Sequence, residues 1–283
     1  MKTWLITGAA RGLGAMFVQE ALQRGDNVVA AARNPQAITD RFGSPANLLP
    51  VRLDVNSEAE AAAAVRQAVE RFGKIDVLVN NAGFGVLGAV EEIPAAEVEA
   101  VYRTNVFGLL SVTRAILPQL RRQRSGHIIN ISSIGGYQSY AGWTVYASTK
   151  FAVEGISEGL AMELKPLGIK VTIVEPGYFR TDFLDAQSLT TTETVIDDYA
   201  ESVGAVRKHA AAVDGQQIGN PALLAKALLQ IVDAENPPLR MPFGSDTVAA
   251  IEAKNAFVAE ELKQWRSLAL STDFPSSGKS RTA

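Results

Sequence analysis

Apolar residues come in short unbroken runs through the first two-thirds of the chain, among them WLIT at 4–7, VVAAA at 28–32, IDVLV at 75–79 and HIINI at 127–131. Runs without alternation are the mark of strands buried on both faces. They predict strands at Thr3–Thr7, Asn27–Ala32, Leu48–Asp54, Ile75–Asn80, His127–Ile131 and Lys170–Glu175. Between them the apolar spacing turns helical. Gly14–Arg24 is closed by Gly25, and Ala59–Phe72 by Gly73. A helix over Ala95–Val106 continues, after Gly108, into one over Leu109–Arg122, and another covers Val145–Leu164. Glycine just past a helix end is the usual stop. Parallel strands need long crossovers, which helices supply. The pattern therefore predicts an α/β fold, a doubly wound parallel sheet in three layers, as one domain.

Past Thr181 the pattern weakens. Residues 182–220 carry little periodicity and three consecutive threonines, Thr190 to Thr192. They are expected to form a lid over the substrate. Asn220 and Pro221 read as an N-cap and first helical residue, opening a helix to about Ala234. Pro237 and Pro238 end it, a last strand covers Leu239–Phe243, and Ser245 or Asp246 caps an extra C-terminal helix over 245–270. The polar residues 276–283 are expected to be disordered.

Composition narrows the chemistry. The chain has 283 residues, a net charge of −3 and no cysteine, so disulfides, thiolate chemistry and cysteine-held zinc are excluded. No metal is expected. Its densest basic cluster, Arg121, Arg122 and Arg124, lies at a helix end and reads as solvated rather than as a nucleic-acid patch. A Ser-His-Asp triad would need one of two histidines, and His127 opens an apolar strand, where a structural role suits it better. No apolar stretch is long enough to span a membrane, and Gly8, Gly12 and Gly14 interrupt the apolar start that would otherwise suggest a signal peptide. A cytoplasmic protein with no nucleic-acid or membrane partner is expected.

In doubly wound sheets ligands bind beyond the carboxyl ends of the strands. Gly8, Gly12 and Gly14 follow the first strand and open a helix. Glycines there admit a tight turn and close approach of a diphosphate, which the free N–H groups of the helix start would bind. The spacing is G-x-x-x-G-x-G, not the commoner G-x-G-x-x-G.

The segment TGAARGLG resembles the cofactor loop of the short-chain dehydrogenase/reductase family. The family's other motifs occur in order: Asn80-Asn81-Ala82-Gly83, Asn105, Ser133, the Tyr146-x-x-x-Lys150 pair, Pro176-Gly177 and Thr181. The resemblance covers about residues 3–182 and says least about the tail. It implies a Rossmann-fold oxidoreductase whose nicotinamide cofactor contacts Gly8, Arg11, Gly12, Leu13, Gly14, Arg33, Asp54, Val55, Asn81, Ala82, Gly83, Tyr146, Lys150, Pro176, Gly177, Phe179 and Thr181. An NAD site usually carries an acid at the end of the second strand. Here Ala32, Arg33 and Asn34 stand instead, with Arg11 as a second cation nearby, and this favours NADP(H). Asp54 resembles the family's adenine contact, and equally suits a turn before Asn56 and Ser57.

Tyr146 and Lys150 are four apart on a predicted helix and share a face. Bringing a phenol from about 10 to about 7 needs roughly 4 kcal/mol, much of which a nearby ammonium can supply, and the positive ring of an oxidised nicotinamide favours the phenolate too. The resemblance implies that Tyr146 exchanges a proton with the substrate oxygen while hydride moves at carbon. Ser133, thirteen residues earlier, orients that oxygen, and its neighbour Ser132 is the rival. Lys150 holds the cofactor ribose, and Asn105 fixes a water leading from Lys150 to solvent. Substrate is expected against Ser133, Tyr140, Trp143, Tyr146, Tyr178 and Phe183, with Phe84, Val86, Gln138 and Leu184 as further wall and Tyr137 near it. Most are apolar or aromatic, which suits an apolar ketone, aldehyde or secondary alcohol. Two rivals are a non-catalytic NADP(H)-sensing protein, whose relatives typically lack the tyrosine or lysine, and a nucleotide-sugar epimerase or dehydratase, whose glycine spacing differs. The family's habit of pairing helices makes a homodimer or homotetramer possible.

Overall fold

The computed structural model describes residues 1–274, so the expected disordered tail at 276–283 lies outside the described residues. The strands are β1 (Thr3–Thr7), β2 (Asn27–Ala32), β3 (Leu48–Arg52), β4 (Val77–Asn80), β5 (Gly85–Leu87), β6 (Gly126–Ile131), β7 (Ile169–Pro176), β8 (Leu189–Thr191) and β9 (Arg240–Phe243). The α-helices are α1 (Gly12–Gln23), α2 (Gln36–Phe42), α3 (Glu58–Phe72), α4 (Ala95–Tyr102), α5 (Leu109–Gln123), α6 (Thr144–Leu164), α7 (Ala205–Val213), α8 (Pro221–Asp233) and α9 (Ser245–Leu270). Seven strands form one parallel sheet in the order β3-β2-β1-β4-β6-β7-β9. The chain winds outward one way from β1 to β3, then returns to β4 beside β1 and winds the other way. The order reverses between β1 and β4, and the crevice at their carboxyl ends is where such a fold binds ligands.

Side chains on each strand alternate between two cores. Trp4, Ile6, Val28, Ala30 and Val79 face α1 and α8, meeting Phe17, Val18, Leu224 and Leu228. Leu5, Val29, Ala31 and Leu78 face α3 and α5, meeting Ala64, Val65, Val112 and Ile116. Being lined by helices on both faces explains why the strands lack an exposed polar side.

The observed ends shift by one or two residues from expectation, as where β3 stops at Arg52 and β4 starts at Val77. Asn220 caps α8 as expected, its Oδ1 accepting the N–H groups of Ala222 and Leu223 at 2.9 and 3.3 Å. The expected caps of α9 are corrected: Gly244 holds the N-cap position, and Asp246 instead accepts the N–H of Tyr178 at 2.8 Å. That bond ties the start of α9 to the turn after β7. Between α4 and α5 the helix does not break at Gly108 but widens into a π-turn over Arg103–Gly108. Unforeseen are α2 and a two-stranded parallel sheet of β5 and β8. It joins the segment after β4 to residues 189–191. Among the described residues no helix is long and apolar enough to cross a membrane.

Candidate active site

A cleft of about 1180 Å³ opens at the switch point, and the glycine loop forms its floor. Gly8 and Gly12 have φ of +63° and +53°, values that only glycine adopts at little cost. Gly14 is required by contact. A Cβ there would fall 2.2 Å from the carbonyl oxygen of Gly8 and 2.6 Å from Asn81 Nδ2. That amide donates to the carbonyls of Thr7 and Gly8 at 3.0 and 3.2 Å, fastening the Asn81-Ala82-Gly83 turn onto the loop. Thr7, which the motif reading passed over, locks the two from below. Its Oγ1 accepts the N–H groups of Asn81 and Ala82 at 2.9 and 3.0 Å and donates to Val79 O at 3.3 Å. Its signal was there to be read: a threonine at the last position of β1. Helix α1 starts without a side-chain cap or an acid in its first turn, so its N–H groups stay free for an anion.

The far end of the cleft is lined by Arg33, Asn34, Ala37, Asp54, Val55 and Asn56. Asp54 does form the turn, its Oδ1 accepting the N–H of Asn56 at 3.0 Å. It also borders the cleft, so both readings of it have a basis. Arg33 is exposed and lines this end. Arg11 does not join it. Its guanidinium turns to Gln187, donating to Oε1 and to the backbone carbonyl at 2.6 Å each, with Asp185 3.7 Å away. The second cation expected beside Arg33 is thus engaged by the segment after β7.

At the other end Ser133, Tyr146 and Lys150 converge. Ser133 leaves β6 with extended backbone, and its Oγ accepts the N–H of Gly135 at 3.0 Å. An oxygen that accepts there has its own proton free to donate. Ser132, the rival, is buried and turned to the opposite side of the strand, against Gly136 and Glu154. Tyr146 and Lys150 sit on the first turns of α6, 7% exposed each. Lys150 Nζ lies 5.7 Å from the centre of the Tyr146 ring and donates to Ile131 O at 2.9 Å. Trp143 and Phe183 pack on the Tyr146 ring with centroids at 5.7 and 5.6 Å.

Burial pushes the Tyr146 phenol upward, and the Ser133 hydroxyl only partly opposes it. Lys150 is itself brought down to about 8 by burial, against the pull of Glu154. In the protein alone, desolvation outweighs the Ser133 hydrogen bond, and the phenol stays protonated at neutral pH.

Asn105 engages three protein groups with its side chain. Its side chain straddles Phe84, Oδ1 accepting the N–H at 3.1 Å and Nδ2 donating to the carbonyl at 2.9 Å and to Thr149 Oγ1 at 3.1 Å. It is a strut between the turn after β4 and α6, set in the π-turn, a feature common at functional sites. Its Oδ1 and Lys150 Nζ flank Gly83, at 3.0 and 3.8 Å from where a Cβ would stand.

Of the expected cofactor contacts, Leu13, Ala82, Gly83, Pro176, Gly177, Phe179 and Thr181 all border the cleft. So do Phe84, Tyr140, Trp143, Tyr178, Phe183 and Leu184 of the expected substrate wall. Val86 does not: it is fully buried beneath, with Leu87 and Val101. Gln138 is absent from the lining, and Tyr137 turns away to hydrogen-bond Asn255 on α9. Val206, His209 and Asp246 complete the wall unforeseen, brought in by α7 and α9. His127 lies at the other end of the sheet, with Nε2 2.9 Å from Thr172 Oγ1 and burial bringing its imidazole down to about 3.

With this geometry in place, comparison with known proteins is decisive. The short chain dehydrogenase family matches residues 2–192. The chain belongs to the short-chain dehydrogenase/reductase family. This short-chain dehydrogenase/reductase is 38% identical over 274 residues to the oxidoreductase BOA17 of Botryotinia fuckeliana, covering 96% of this chain and 99% of that one. It is 35% identical to a 3-ketodihydrosphingosine reductase of Bacteroides thetaiotaomicron, covering 92% and 94%. A short-chain dehydrogenase from Streptomyces avermitilis superposes with a TM-score of 0.89 at 39% identity, covering 96% of this chain and all of that one. Solved relatives hold both nicotinamide cofactors. ElxO, 26% identical with a TM-score of 0.73 over 88% of this chain and 99% of its own, has NADP bound. A Burkholderia phymatum protein shares the fold, at 23% identity and a TM-score of 0.81 over 92% and 95%, and has NAD bound.

Proposed function

We propose that this short-chain dehydrogenase/reductase is NADP(H)-dependent and interconverts a mainly apolar ketone or aldehyde and its alcohol, with Tyr146 as acid and base. The observation that carries the reading is the convergence of Ser133, Tyr146 and Lys150 on one end of a cleft whose floor is a glycine loop too tight for any Cβ at Gly14. That cradle and the uncapped start of α1 fit a dinucleotide diphosphate. Arg33 would take a 2′-phosphate, with Asp54 and Val55 against the adenine. Tyr146 and Lys150 would hold the nicotinamide ribose. The bound nicotinamide supplies or takes up the hydride.

Tyr146 gives its proton to the carbonyl oxygen in reduction and takes one from the alcohol in oxidation. Kept protonated by burial, the phenol is set as the acid. Ser133, its oxygen engaged by Gly135, donates to the same substrate oxygen and fixes it beside the phenol. Lys150 favours the phenolate that the reaction leaves behind. Tyr140, Trp143, Tyr178 and Phe183 form an aromatic wall for an apolar substrate body. Residues 182–220 close over it, since Phe183, Leu184, Gln187 and His209 reach the cleft from that segment. The ketone named for the Bacteroides relative is of the proposed class.

The test is NADPH oxidation over a panel of ketones, aldehydes and quinones, with Tyr146→Phe as control. Loss of about 10²–10⁴ in rate is expected for the variant, and full activity would refute the proposed role of the phenol.

A further inference from the structure

Behind Lys150, on the side away from the cleft, lies a set of ionisable groups that the proposed reaction does not use. Glu154 follows Lys150 by one turn of α6, and Glu175 precedes Pro176 at the end of β7. They are 6% and 0% exposed. Arg240 of β9 reaches in from the sheet edge, its Nε 3.0 Å from Glu154 Oε2 and 3.7 Å from Glu175 Oε1. Its other arm pairs with Glu158 at the half-exposed rim. Gly136 makes the room. A Cβ there would fall 2.4 Å from Ser132 Oγ and 3.2 Å from Glu154 Oε1.

The hydrogen bonding does not close if both acids are ionised. Among the described residues neither oxygen of Glu175 nor Oε1 of Glu154 has a hydrogen-bond partner, and the Ser132 hydroxyl is the one further polar group set beside Glu154 at Gly136. The two carboxyl groups meet at one guanidinium, Arg240 Nε standing 3.0 Å from Glu154 Oε2 and 3.7 Å from Glu175 Oε1. An ionised carboxylate only accepts, so a bond between two of them requires a proton. The charge balance points the same way. Two cations, Arg240 and Lys150, face three carboxyl groups, Glu154 and Glu175 buried and Glu158 at the rim, and buried unpaired anions are costly. Burial and the nearby Glu154 push Glu175 up to about 7, and burial raises Glu154 as well. Glu154 is also the anion that holds the Lys150 ammonium up against its own burial.

We propose that Glu154 and Glu175 share one proton between α6 and β7, and that gain or loss of this proton sets the charge felt by Lys150. The two glutamates are then positioning residues for the tyrosine–lysine pair. The inference rests on the roles proposed above for Tyr146 and Lys150. With the proton in place Lys150 faces one negative charge. Once it leaves, Lys150 faces two, and its ammonium is retained into more alkaline solution. Among the described residues the other charged groups around the pair are Lys150 and Glu158 on α6 and Arg240 on β9, and Ser132 adds a hydroxyl. Arg240 keeps its charge throughout. The acid pair is therefore the group that changes charge near neutrality.

The test compares pH profiles of kcat/KM for the wild type, Glu175→Gln and Glu154→Gln. The wild type is expected to show an inflection near neutrality that Glu175→Gln lacks, since the amide fills the same space, donates to Glu154 and does not ionise. Glu154→Gln removes the anion beside Lys150, and the limb due to the lysine should move down by about one pH unit or more. Infrared titration supplies a readout independent of turnover. On the acid side of neutrality the wild type should show the C=O stretch of a protonated carboxylic acid, lost as the pH rises through neutrality. Absence of that band in the wild type would overturn the proposal even if neither variant folds. So would profiles unchanged in both variants, with Tyr146→Phe inactive, and the reading of Tyr146 would then stand. Activity surviving in Tyr146→Phe would instead remove that reading, and this inference with it.

Discussion

The Lys150 ammonium lies 5.7 Å from the centre of the Tyr146 ring, in a space where both side chains are buried. Burial brings the lysine from 10.5 to about 8, so folding disfavours its charged form. Two to three units correspond to about 3 kcal/mol. The bond to Ile131 O offsets about 1 kcal/mol of that. Lys150→Met is therefore expected to lose activity while melting a few degrees higher at neutral pH. The sign follows from linkage: the folded protein binds fewer protons than the unfolded chain between pH 8 and 10.5. The cost of the lysine is in full force below 8 and fades as the pH rises toward 10.5, so the variant's advantage should shrink in alkaline solution. Thermal melts across that range check it, and an equal or lower melting temperature at neutral pH would contradict it.

Gly14 separates contact from conformation within one loop. A Cβ on Gly14 would strike a backbone carbonyl, whereas one on Gly12 meets nothing within 4 Å and suffers only from a φ of +53°. Gly14→Ala should cost about 1–3 kcal/mol as an overpacked site and sharply weaken cofactor binding, because the displaced groups are Gly8 and Asn81. Gly12→Ala should cost about 1 kcal/mol with a smaller loss of affinity. Melting temperatures and NADPH fluorescence titrations of the two variants distinguish these outcomes. Equal affinities would show that the close packing at Gly14 is not what shapes the cradle.

The main sheet was legible because its central strands are sandwiched between helices, which forces apolar side chains onto both faces. Trp4-Leu5-Ile6 and Val28-Val29-Ala30 show this directly, neighbours pointing into opposite cores. The small sheet was not legible. Gly85–Leu87 and Leu189–Thr191 are too short to display a period, and they pair across about a hundred residues of chain. The glycine loop and the Ser133, Tyr146 and Lys150 positions were expected from motif resemblance, and the structure brings them to one cleft. The partner of Arg11 could not, since a long side chain chooses between the cleft and Gln187 by tertiary contacts alone. The same holds for Glu154 and Glu175, which share Arg240 only because β7 runs between α6 and β9.

With Arg11 engaged by Gln187, the expected preference for NADP(H) falls on Arg33. A guanidinium bonded to a phosphate contributes about 1.5–3 kcal/mol, roughly ten- to a hundredfold in affinity. Arg33→Ala should weaken NADPH by that factor and leave NADH nearly unchanged. Fluorescence titration with both cofactors measures it. Equal losses for the two would show that Arg33 serves the adenosine in general and does not read the 2′-phosphate.

Glu92 ties the segment after β7 to the body of the protein. Its side chain is fully buried and accepts the N–H of Ala89 at 2.6 Å, the N–H of Ile196 at 2.9 Å and Arg207 Nη2 at 2.5 Å. Arg207, largely buried, also donates to Thr192 at 3.1 Å. Removing the charge in Glu92→Gln leaves a guanidinium without its partner, at a cost of about 3–5 kcal/mol. The contacts that Glu92 makes with Ile196 and Arg207 belong to that segment, whereas the glycine loop is fastened separately through Thr7 and Asn81. The loss should therefore appear as local opening. KM for the carbonyl substrate should rise, proteolysis should start within residues 182–213, and NADPH affinity should stay near the wild-type value. Limited proteolysis with and without cofactor, alongside steady-state kinetics, checks all three. Parallel loss of substrate and cofactor binding would mean that the segment does not move as a separate cover, and that Glu92 supports the whole cleft.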